Sequence, residues 1–147
     1  VPRGRWHNVT LLSTISLSGM GASVVINGAL DRRGFDAFVE QFLVPTLQPG
    51  QIVVLDNLSV HRSARARHLI EAAGCELWFL PTYSPDFNPI ENAFAKIKQA
   101  LRRAAARSYD AILTAAKPAL NAVTAEDAHG FFRHAGYAVA STTGHSI

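Results

Sequence analysis

Two carboxylates in this chain stand where an acid can be held rigidly and still reach a ligand. Asp56 follows the apolar run Ile52-Val53-Val54-Leu55, and Glu91 opens a long helical pattern in Asn88-Pro89-Ile90-Glu91. Ligand sites in open α/β sheets collect at the carboxyl ends of strands. Asp56 and Asn57 can equally do no more than turn the chain after the strand. Glu91 carries the same ambiguity. Asn88 is a good N-cap, Pro89 suits the first helical position, and Glu91 falls at N3 of a capping box. A carboxylate in a first helical turn is also held rigidly, and it would share a cation with Asp56 if the helix packs beside that strand. Phosphodiester hydrolysis wants such groups: two Mg²⁺ ions about 3.5–4 Å apart activate a water and stabilise the leaving oxygen, and hard cations prefer carboxylate oxygens. Three or more acidic side chains usually converge on such a site.

The elements that must position these groups are legible as changes of period. Val9, Leu11, Ile15 and Leu17 alternate with Thr10, Thr14 and Ser16, a strand pattern. Gly19 and Gly21 mark a turn, and Ala22–Ile26 is the second arm of a hairpin. From Gly34 the spacing of Phe35, Phe38, Val39, Phe42 and Leu43 predicts an amphipathic helix, with the phenylalanines in the core, kinked or ended by Pro45. Ile52–Leu55 and Leu77–Leu80 are short continuous apolar runs, predicted as strands buried on both faces, with Trp78 in the core. Between them a helix spans roughly Ser63–Ala73, stopped by Gly74. After a Pro/Ser/Asn loop comes the longest helix, Pro89 to about Arg107, with Ile90, Phe94, Ile97 and Leu101 on one face. Helices near Tyr109–Ala122 and Ala125–Phe132 follow, and a small, polar tail after Tyr137 is expected to be loose. The order predicts an α/β fold with antiparallel pairing first and crossover units after.

Composition sets bounds. Hydrophobic residues are 48% of the 147, enough for a core, and no stretch has the 18 or so uncharged apolar residues of a membrane helix. No charged start followed by an apolar run suggests a secretion signal. A single cysteine, Cys75, excludes an intramolecular disulfide and a cysteine-based zinc site. Fourteen Lys+Arg against eleven Asp+Glu permit an anionic partner.

Basic residues cluster near both carboxylates. At 100° per residue Lys98 and Arg102 follow Glu91 along one side of its helix, while Lys96, Arg103 and Arg107 form a second stripe. These are either solvated faces or, on the Glu91 side, a rail that positions phosphates. Arg62, Arg65 and Arg67 add positive charge just after Asp56. His61 either orients the acidic site, contacts phosphate or caps the next helix. Tyr83 packs against the site's edge or stacks on DNA.

Three segments together carry a family resemblance: Val53-Val54-Leu55-Asp56-Asn57-Leu58-Ser59-Val60-His61, then Phe79-Leu80-Pro81-Thr82-Tyr83-Ser84-Pro85-Asp86-Phe87-Asn88-Pro89-Ile90-Glu91, then Phe94-Ala95-Lys96-Ile97-Lys98. The string resembles the DDE transposases of bacterial insertion sequences, in the insertion-sequence 630 family of the mariner superfamily. The 34 residues between Asp56 and Glu91 match that superfamily's spacing, and His134-Ala135-Gly136-Tyr137 is similar to the family's ending. The resemblance covers roughly Gly4 to Tyr137.

It implies an RNase H-like mixed sheet with flanking helices. It also implies cleavage of transposon ends and their joining to target DNA by divalent metal, two Mg²⁺ (or Mn²⁺) ions in the intact site. Asp56 matches the second acid and Glu91 the third. Lys98, Arg102, Arg62 and Arg65 become DNA contacts, and Asn57, His61 and Asn88 support the acids from behind. The resemblance further implies a bacterial, cytoplasmic, nucleoid-associated protein that works as an oligomer on DNA and not at a membrane. The family's first acid lies on a central strand upstream of the segment matching Arg5–Leu17, and Asp31 and Asp36, after the hairpin, cannot replace it. The expectation is therefore a partial catalytic domain over 1–137, lacking the first strand, with a tail over 138–147. It would be poorly soluble or would associate with a chain that supplies the strand. The alternatives are an inactive remnant that binds DNA or full-length transposase, and an unrelated flavodoxin-like α/β binding domain.

Overall fold

The alternating residues at the start form a hairpin. In the computed structural model, which describes residues 9–81, 88–137 and the backbone of 145–146, β1 (Val9–Ser16) and β2 (Gly19–Asn27) pair antiparallel. The register shifts between Ser13 and Ile15. Two cores flank the sheet and β1 serves both: Leu12 belongs to one buried cluster and Ile15 to the other.

The first cluster is built by the crossover half. α1 (Arg32–Phe38) starts at Asp31, whose Oδ1 accepts the Gly34 N–H at 2.7 Å. It runs on as a π-turn (Val39–Leu43) and a 3₁₀ turn (Val44–Thr46) that contains Pro45. β3 (Ile52–Leu55) pairs parallel with β4 (Glu76–Phe79) through a 3₁₀ turn (Ser59–His61) and α2 (Ala64–Ala72). Ser63 caps α2 by accepting the Ala66 N–H, and its hydroxyl donates to Asp36 Oδ1 of α1 at 2.5 Å. Gly74 ends α2 with φ +81, a conformation that favours glycine, and an added Cβ would lie 3.0 Å from Pro49 Cβ.

The second cluster is helical. α3 (Ile90–Arg103), α4 (Tyr109–Asn121) and α5 (Ala125–His134) bury Ile90, Ile97, Leu101, Ile112 and Phe132 with Ile15. α3 stops short of Arg107 because the chain reverses at Ala105, at φ +55, and Ser108 begins α4 by accepting the Ala111 N–H.

The strand order is β2-β1-β5-β3-β4. β5 is His145–Ser146, from the tail. It lies antiparallel to β1 (Ile15↔Ser146, Ser16↔His145) and parallel to β3 (Val53↔His145, Val54↔Ser146). The central position, expected to lack a strand, thus holds one of two residues. Among the described residues no helix is long and apolar enough to cross a membrane.

Two core expectations are overturned. Phe42 is 45% exposed because the π-turn, in which Val44 N–H reaches back to Val39 O, keeps Val39 and Leu43 inward and turns Phe42 outward against Phe38. Trp78 is 54% exposed: β4 is an edge strand whose Leu77 and Phe79 pack on the first cluster while Trp78 faces away. The β4 run is therefore apolar without being buried on both faces. Tyr83 and the rest of the 82–87 loop lie outside the described residues.

Candidate active site

Asp56 emerges where β3 ends. Leu55 is fully buried, and its carbonyl accepts the Leu80 N–H at 2.8 Å, so the sheet fixes the backbone up to the acid. Asp56 Oδ1 then accepts the Leu58 N–H at 3.3 Å, the turn-forming role open to any Asp after a strand. The same oxygen lies 2.6 Å from His61 Nδ1. His61 is 6% exposed, with its ring 4.8 Å from that of Phe35. Beside this pair Asn57 Oδ1 accepts the Arg62 Nε–H at 2.7 Å. The Arg62 and Arg67 guanidiniums stand 5.6 and 5.7 Å from the Phe79 ring centre, within cation–π range.

Glu91 sits in the first turn of α3, and the capping box expected of it is not made. Asn88, buried, takes the Ile90 N–H on its own Oδ1 at 3.2 Å, and its carbonyl takes the Glu91 N–H at 3.1 Å. Two of the orphan donors of the helix start are thus met from Asn88. Glu91's carboxylate is exposed and has no hydrogen bond or ion pair among the described residues. A negative charge at a helix N-terminus is favoured by the helix dipole.

The elements that carry the two acids, α3 and β3, are linked by way of β1 and β5. Ile90, next to Glu91, belongs to the buried cluster that includes Ile15 of β1. Ile15 pairs with Ser146, and Ser146 with Val54, two residues before Asp56. Lys98 and Arg102 are exposed on the Glu91 side of α3. Lys98 also lines a cavity of about 270 Å³ between α3 and β1, with Val9, Phe94 and Ile97. Among the described residues no group of three His, Cys, Asp or Glu side chains is placed to hold a metal ion.

The remaining basic residues divide. Arg65 is turned to Glu40, Nη2 to Oε1 3.1 Å, and Arg67 pairs with Glu71 at 3.5 Å. Lys96 is bound to Asp127 of α5 at 2.5 Å. The Lys96 hydrogen bond, with the Thr124 backbone N–H, holds the Asp127 carboxyl below its ordinary value. That flank of α3 ties two helices together. Three contacts near the site were not read from sequence: Ser63 to Asp36, Lys96 to Asp127, and Arg32 Nη2 donating to Ser59 O at 3.1 Å. Each joins residues 27 or more apart, and no local pattern marks them.

Comparison with known proteins adds one finding. No curated protein matches the sequence, but residues 1–113 match the family model of the DDE superfamily endonuclease, a span that includes both acids and the sheet half between them. With more than half its length inside that match, the chain belongs to the DDE superfamily endonucleases.

Proposed function

We propose that this chain is part of the catalytic domain of a transposase of the insertion-sequence 630 branch, and that Asp56 and Glu91 are two of its metal-binding acids. The observation that carries this is the family match over 1–113, within which these carboxylates occupy a strand end and a helix start. Endonucleases of this superfamily generally use divalent metal ions, and DNA is the substrate the family implies. The donors suit such an ion. Both are hard oxygen ligands, each acid has an oxygen with no described partner, and Mg²⁺ is commonly held by one or two carboxylates with water and substrate phosphate filling the rest. When bound there, the ion supplies Lewis-acid activation of the attacking oxygen and stabilisation of the leaving one.

The chain's own residues do the positioning. The buried β3 and the Asn88-capped start of α3 fix the backbone that carries the two carboxylates. Lys98 and Arg102 on one side, and Arg62 on the other, neutralise phosphates and set the DNA's register without reading its sequence. The order β2-β1-β5-β3-β4 supports an RNase H-like sheet in which a strand at the β5 position, antiparallel to β1 and parallel to β3, brings a third acid. In that complete site the reaction is cleavage at transposon ends followed by joining to target DNA.

A second reading is a DNA-binding piece without activity of its own. Nicking of supercoiled plasmid in Mn²⁺ separates the two. Cleavage lost in both Asp56→Asn and Glu91→Gln establishes the enzyme. DNA binding without cleavage establishes the remnant. Cleavage indifferent to both substitutions, or no binding at all, refutes the assignment.

A further inference from the structure

We infer that His61 is a positioning residue that locks Asp56 in the rotamer presenting its second oxygen to a cation, an assignment that rests on reading Asp56 as a ligand. A carboxylate oxygen can only accept, so at 2.6 Å from Asp56 Oδ1 the His61 Nδ1 carries the proton and donates. The Leu58 N–H donates to the same oxygen. Oδ1 is thereby occupied twice, while Oδ2 takes no hydrogen bond among the described residues.

The donor is itself held from three directions. Its ring lies against Phe35 of α1. Its backbone N–H bonds to Leu58 O at 3.0 Å. The 3₁₀ turn that carries it is tied to α1 by Arg32, through Ser59 O. A histidine serving only as core filling beside Phe35 would have no need to aim Nδ1 at the acid, and a surface histidine would not be buried. Ligating carboxylates that are hydrogen-bonded from behind lose less freedom on binding, and loss of such a partner typically weakens metal affinity by about 10–100-fold.

The test is calorimetric titration of the full chain with Mn²⁺, comparing the unaltered protein with Asp56→Asn, His61→Phe and His61→Asn. His61→Phe keeps a ring on Phe35 and removes the donor; His61→Asn restores an N–H. The expected result is Mn²⁺ binding abolished by Asp56→Asn, weakened about tenfold or more by His61→Phe, and largely restored by His61→Asn. Binding that needs Asp56 but is unchanged in His61→Phe overturns the role of His61 while sparing the ligand. Binding indifferent to Asp56→Asn overturns the ligand reading and this inference with it. Should His61→Phe fail to fold, ¹⁵N NMR of the unaltered chain decides: the His61 Nδ1–H resonance shifts with added Mg²⁺ and not with equivalent Na⁺. A resonance unmoved by Mg²⁺ overturns the inference.

Discussion

At the scale of single residues, the basic side chains near the acids are not equivalent, because some already have carboxylate partners. Lys98 and Arg102 are exposed along the Glu91 side of α3, whereas Arg65 and Lys96 face Glu40 and Asp127. Each lysine or arginine that displaces a counterion from duplex DNA steepens the dependence of log affinity on log salt by about 0.9. Lys98→Ala with Arg102→Ala is therefore expected to flatten that slope by about two, and Arg65→Ala to leave it unchanged. Fluorescence anisotropy of a labelled duplex across a sodium chloride series measures both. Equal slopes for the unaltered chain and the Lys98/Arg102 variant would remove these side chains from the DNA contact. The positions of Asp56 and Glu91 could be read from sequence because local pattern announces a strand end and a helix start. The partner of Arg65 could not, since Glu40 is 25 residues away and only the packing of α2 against the π-turn brings them together. Asp56's tie to His61 lies between: five residues apart, it needs only the 3₁₀ turn between them.

At the scale of elements, period marked the helices whose buried residues lie on a single face, as in α2 and α3. It failed where the backbone left its regular geometry. The π-turn after Phe38 moved Phe42 out of the core, and the left-handed Ala105 ended α3 one turn early. Pattern also could not say which apolar strand is an edge, and Trp78 paid for that with exposure. The join between α3 and α5 has a measurable signature. Asp127 closes a capping box with Thr124 while receiving the Lys96 ammonium, and both hold its carboxyl below the unfolded value of about 3.9. A lowered folded value means that the contribution is complete above the unfolded value and is lost as pH falls through the folded one. The melting temperature of the unaltered chain should exceed that of Asp127→Asn between pH 5 and 7, and the gap should close below about pH 4. A gap independent of pH would show that the cap and the ion pair contribute nothing through ionisation.

At the scale of the molecule, two half-domains share one sheet. The hairpin with α3–α5 makes one core and β3–β4 with α1 and α2 the other, and they meet through Leu12 and Ile15 of β1 and through β5. β5 bridges β1 only at Ile15 and Ser16 and β3 only at Val53 and Val54, so most of the β1 edge on that side has no strand partner among the described residues. Unpaired strand edges invite pairing with other chains. Deleting residues 138–147 should widen that opening. Two to four ladder hydrogen bonds at about 0.5–1.5 kcal/mol each amount to about 1–6 kcal/mol, which at roughly 2–4 °C per kcal/mol for a chain of this size gives an expected fall in melting temperature of roughly 2–24 °C. Self-association should rise together with it. Differential scanning calorimetry and light scattering across a tenfold concentration range test both. A truncated chain that melts unchanged and stays monodisperse would mean that β1, packed into both cores, holds the halves together by itself. The sheet centre would then be open to a longer strand at no cost in stability, whereas a clear loss would mean that any incoming strand must first displace β5.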